Sequence, residues 1–81
     1  DDPFLAQTQR LLKALKKEGY IRTQGETMSE FLKATEAKEK RFEALDEINT
    51  LYHEGRYGKD KGHSLEQLKT KIHTFTKGLK T

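Results

Sequence analysis

Three histidines, His53, His63 and His73, recur ten residues apart. Histidine titrates nearest neutrality and is the commonest metal ligand, so evenly placed histidines invite a metal or acid–base reading. The interval argues against it, because ligands on one helical face recur three or four residues apart. The carboxylates of Glu36, Glu39, Glu43, Asp46 and Glu47 stand among Lys38, Lys40 and Arg41. That is the pattern of ion pairs along a solvated helix, not of two carboxylates sharing a site. Cysteine is absent, which removes thiol nucleophiles, thiolate metal sites and disulfides together. No nucleophile stands with a base and an orienting group. The sequence therefore assigns no catalytic, cofactor-binding or metal residues, and the expectation is a domain that is not an enzyme. One pair stands out for recognition instead. Arg56 and Tyr57 lie between Gly55 and Gly58, and arginine and tyrosine are enriched at the centres of interfaces. The structural alternative is that Arg56 meets helix-end carbonyls or an acidic side chain while Tyr57 folds back on the protein.

The elements that must position this pair are helical. Asp2-Pro3 reads as a cap followed by a first-turn proline. Phe4, Thr8, Leu11 and Leu15 then form one stripe, with Leu5 and Leu12 beside it. Gly19 ends this helix, predicted over 3–18, in the left-handed conformation. Gly19 to Gly25 is a connection that Tyr20 and Ile21 pin to the core. Thr27-Met28-Ser29-Glu30 is a capping box that opens a helix at 28. Its apolar face, Met28, Phe31 and Leu32, fades before Phe42, Leu45, Ile48, Leu51 and Tyr52 resume it. Residues 28–54 are thus either one bent helix or two, 28–36 and 38–54. Strong helix formers at 36–41 favour continuity and the lost stripe favours a turn, with the balance slightly towards two. Gly55, Gly58 and Gly62 mark a polar loop. Ser64-Leu65-Glu66-Gln67 reads as a second capping box, and Leu65, Leu68, Ile72, Phe75 and Leu79 follow at three- and four-residue intervals, predicting a last helix over 64–79. The expected fold is an all-α bundle of three to four helices, a single domain over 1–81, with Phe31, Leu45 and Leu68 in one core.

The length of 81 residues holds one domain and not two. No apolar run approaches the ~20 residues of a membrane span. The net charge is +3, and its sign varies along the chain, with six basic and two acidic groups in 59–81 against five and seven in 27–58. Lys69, Lys77 and Lys80 share one side of the last helix. A basic module for nucleic acid or an anionic membrane surface is therefore the alternative function class. The acidic central third and the lack of a helix-turn-helix signature weigh against nucleic acid.

Two stretches, LKKEGYIRTQGETMSEFL and LDEINTLYHEGRYG, resemble the paired motifs of the domain of unknown function that ends many bacterial membrane-bound transglutaminase-like proteins. The resemblance covers about residues 8–58. It matches Gly19, Arg22, Gly25, Thr27 and Phe31 in the first motif and Leu51, Tyr52, Arg56, Tyr57 and Gly58 in the second. Met28 stands where the family usually has proline, and residues 64–79 lie outside the motifs. The resemblance implies a parent with several membrane spans, an extracytoplasmic transglutaminase-like domain with a Cys-His-Asp triad, a last span, and this domain in the cytosol. The triad cannot lie here, since the chain lacks cysteine. The expected role is a non-catalytic accessory or interaction domain, excised from a longer membrane protein, whose partner is another protein or the parent's membrane region. A start at Asp1 rather than Met, and Arg10, Lys13, Lys16 and Lys17 soon after, suit a span ending just upstream.

Overall fold

In a computed structural model that describes residues 2–58 and 60–79, the first helix, α1 (Pro3–Lys17), opens on Asp2. The Asp2 Oδ1 atom accepts from the backbone N–H of Phe4 at 2.9 Å and of Leu5 at 3.3 Å, satisfying two of the amides that a helix start leaves free. Phe4, Thr8, Leu11 and Leu15 are buried, and Thr8 fits an apolar stripe because its hydroxyl donates to the Leu5 carbonyl. The C-terminal end is a Schellman turn: Gly19 N–H donates to Lys16 O, Tyr20 N–H donates to Leu15 O, and Gly19 takes φ of 95°.

The second helix, α2 (Met28–Glu36), starts at the predicted capping box. Glu30 N–H donates to the Thr27 hydroxyl, and Thr27 N–H donates to the Glu30 carboxylate. It stops at Ala37, so residues 28–54 are two helices. Glu39 is extended, a 3-10 turn spans Lys40–Phe42, and α3 (Ala44–Tyr57) follows, starting six residues later than the sequence suggests. A single helix of that length would be about 40 Å long and would carry Met28, Phe31 and Leu32 away from any cover. Reversing the chain at 37–43 lays α2 against α3 instead. The turn is held by its own side chains. Phe42 is fully buried, edge-on to Tyr20 with ring centroids 5.1 Å apart. The Tyr20 hydroxyl donates to Glu39, and Arg41 bridges Glu39 and Glu18 at 2.7 and 2.8 Å. Tertiary packing thus overrides the helix propensity of Glu36–Arg41.

Three further expectations are corrected. The stretch from Gly55 to Gly62 is not one loop: α3 runs on through Gly55 to Tyr57, and the last helix, α4 (Lys61–Leu79), begins three residues before Ser64. Ser64 is buried inside α4, where it donates its N–H to Asp60 O. The capping carboxylate is that of Asp60, whose Oδ1 accepts from His63 N–H at 3.2 Å. Ile21 does not pin its connection, being 62% exposed; Tyr20 alone does.

The described residues form a four-helix, all-α domain without strands. One core holds Phe31, Leu45 and Leu68 with Leu11, Leu15, Phe42, Ile48, Ile72 and Phe75. The seam of α4 is consumed by that core: Leu68, Ile72 and Phe75 are buried and Leu65 and Leu79 pack at its margins. Among the described residues no helix is long and apolar enough to cross a membrane.

Candidate functional site

The first turns of α1 and α4 and the last turn of α3 meet at one end of the bundle, which is where the structure places Arg56 and Tyr57. Gly55 makes the meeting possible. A Cβ there would lie 1.9 Å from Cε1 of Phe4, so the Phe4 ring packs directly on the α3 backbone. One residue on, Arg56 Nη1 contacts Asp2 Oδ2 at 2.6 Å, and its guanidinium lies 5.6 Å above the Tyr52 ring. Asp2 therefore does two things at once, capping α1 with one oxygen and fastening α3 to α1 with the other. Partial desolvation would raise its pKa, but the amides of Leu5 and Phe4 and the charge of Arg56 hold it below its ordinary value.

Arg56 thus meets an acidic side chain, whereas Tyr57 stays outside. Tyr57 is 78% exposed, with its ring stacked on that of His53 at 6.0 Å. It borders an open depression of about 550 Å³ that Phe4, Gly55, Lys61 and Leu65 also line. The arrangement offers an aromatic surface beside a cation held by Asp2.

The histidines are dispersed. His53 lies on α3 and His63 and His73 on α4, all exposed. Among the described residues no three His, Asp or Glu side chains gather to hold a metal ion. Of the central carboxylates, Glu39 is bound by Arg41, and Glu47 reaches Lys71 of α4 at 3.1 Å. The Arg41 and Tyr20 hydrogen bonds hold Glu39 below the usual carboxylate range.

The distribution of charge is the feature that the sequence in thirds obscures. Helix α1 carries Arg10, Lys13, Lys16 and Lys17 and no acidic residue. This one helix therefore carries a surplus of +4, as large as that of residues 59–81 with six basic and two acidic groups. In α4, by contrast, Lys69 pairs with Glu66 and Lys71 with Glu47, while Lys80 lies outside the described residues. The basic last third is partly neutralised and α1 is not.

Comparison with protein-family models, with curated proteins and with solved structures returns no match to this chain.

Proposed function

We propose that this chain is a non-catalytic interaction domain, the cytosolic tail of a bacterial membrane-bound transglutaminase-like protein, and that it docks its partner at the end of the bundle marked by Tyr57. The observation that carries the docking site is the exposure of Tyr57 beside an open depression, in a chain whose other aromatic rings pack in or against the core. A rigid amphipathic ring, held by His53 at the end of a helix, contributes contact area at little entropic cost.

The parent rests on the sequence resemblance. Its motif positions have clear physical work here: Gly19 and Gly25 take positive φ, Thr27 caps α2, Phe31 is buried and Arg56 ties α3 to Asp2. Because Asp2 is bonded to Arg56, a span ending upstream of Asp1 would deliver the chain to the Tyr57 end. A partner met there is the parent's membrane region or a protein beside it.

The test is a pair of reporters fused after Thr81 in the complete reading frame, one active only in the cytosol and one active only outside. The cytosolic reporter is expected to work. Activity of the external reporter alone would overturn the assignment of this domain to the cytosolic face.

A further inference from the structure

From the placement of charge on α1 we infer that the outward face of this helix is a contact surface for an anionic lipid bilayer. Arg10, Lys13 and Lys17 follow one another at three and four residues, with Lys16 alongside, opposite the buried stripe of Phe4, Thr8, Leu11 and Leu15. All four cations are exposed, and among the described residues none of them enters an ion pair. Arg10 alone has a side-chain partner, the neutral Gln7 amide at 3.3 Å.

The helix dipole gives a structural reason for Lys16 and Lys17, which lie in the last turn. It gives none for Arg10 and Lys13, which sit too far from the C-terminus to feel it. From Arg10 to Lys17 the strip runs about 10 Å along the axis. Towards Asp2 it gives way to Ala6 and to Leu5, which is 43% exposed. A row of cations continuing into exposed apolar surface on one helix is the arrangement of segments that lie in a membrane interface.

Other anionic occupants fit less well. The aromatic residue of α1 is Phe4, which is buried, so the face offers no platform on which bases could stack. Three of the four cations are lysines, point charges suited to a smeared negative surface rather than to bidentate forks on carboxylates. A protein partner would seek a desolvated anchor at the centre of the patch, and the centre here is the exposed Lys13, whose neighbours three and four residues away are Gln9, Arg10, Lys16 and Lys17.

The inference stands on the charge geometry and not on the parent assigned above, so each can fail without the other. The experiment measures partition of the 81-residue chain onto vesicles of phosphatidylglycerol and phosphatidylcholine, against phosphatidylcholine alone, as salt is raised. Binding is expected only to the anionic vesicles and should fall steeply with salt. Each basic residue near such a surface is worth about five-fold in partition. Lys13→Gln with Lys17→Gln should therefore weaken binding about 25-fold, and all four replaced by glutamine about 600-fold. Lys69→Gln with Lys71→Gln, on α4, should change it by less than about three-fold. Circular dichroism of each variant checks that the fold is kept, since glutamine is a good helix former. Undetectable binding of the unaltered chain to anionic vesicles at low salt would overturn the inference. Equal binding by the four-glutamine variant would do so as well. Tighter binding to duplex DNA or to polyglutamate than to the vesicles would replace the bilayer with a nucleic acid or an acidic protein.

Discussion

Replacing Gly55 by alanine puts a methyl carbon 1.9 Å from Cε1 and 2.4 Å from Cζ of Phe4. Carbon atoms normally rest about 3.5–4.0 Å apart, so the ring must retreat by about 1.5–2 Å or leave its site. The ring is only 6% exposed, and overpacking of this kind typically costs about 1–3 kcal/mol. Alanine is the better helix former by up to about 1 kcal/mol, less near a helix end. The net expectation is a loss of about 1–2 kcal/mol, or a Tm lower by roughly 5–15 °C for a domain of this size. The decisive background is Phe4→Val, which lacks the Cδ1, Cε1 and Cζ atoms and should cost less than the ~3–5 kcal/mol of full truncation. In that background Gly55→Ala no longer meets the ring and should stabilise. The two effects differ in sign, giving a coupling of about 2 kcal/mol, well above the ~0.5 kcal/mol within which independent sites add. Urea titrations followed by circular dichroism at 222 nm would supply the four stabilities. If Gly55→Ala stabilises both backgrounds equally, the Phe4 ring does not lie on the α3 backbone and the account of this end of the bundle is wrong.

The acid limb of stability should carry a signature of three carboxylates. Asp2 is pushed up by desolvation, its largest single influence, but the Leu5 and Phe4 amides and Arg56 together hold it low; Glu30 is held low by Thr27, and Glu39 by Arg41 and then Tyr20. Each folded pKa lies below the ordinary value of 3.8 or 4.5, so their contribution is complete above that range and lost as pH falls through the folded values. Asp2→Asn, Glu30→Gln and Glu39→Gln combined should flatten the loss of Tm below about pH 4.5, and an unchanged slope would reject the assignment. Asn49 is buried and donates to Ser29 Oγ, while its Oδ1 has no partner among the described residues. An orphaned buried acceptor costs about 1–3 kcal/mol, so Asn49→Leu should be no less stable than the parent chain. A loss above about 2 kcal/mol in a urea titration would show that Oδ1 is satisfied.

What made the fold readable was local chemistry at the helix ends. Asp2 with Pro3, the Thr27–Glu30 box and Gly19 each act within a few residues of themselves, and each does in the structure what its type suggests. The misreadings arose where a distant contact decides. Ser64-Leu65-Glu66-Gln67 has the form of a capping box, but Asp60 is the stronger cap and the core accepts the small Ser64 side chain inside the helix. Gly55 looks like a loop residue until Phe4, 51 positions earlier, is placed against it. Ile21 has the composition of a core residue and is exposed, because its neighbour Tyr20 takes the inward direction to reach Phe42 and Glu39.

The candidate surfaces show the same division. Arg56 and Tyr57 are conspicuous in the sequence as a pair, and the structure gives them different surroundings: Arg56 bonds Asp2 as well as interacting with Tyr57, while the Tyr57 ring stands largely in solvent. The contact with Asp2, 54 positions away, is not visible in the dipeptide. Charge behaves likewise. Counting by thirds puts the surplus in residues 59–81, but a surplus acts on a partner only where the fold leaves it unpaired. Glu47 of α3 and Glu66 neutralise two of the α4 lysines, whereas α1 brings no acid of its own. Glu18, which lines a depression with Arg10, Lys13 and Lys17 at its far end, is already engaged by Arg41. The four cations of α1 therefore keep their charge on its outward face, because none of the ion pairs among the described residues reaches them.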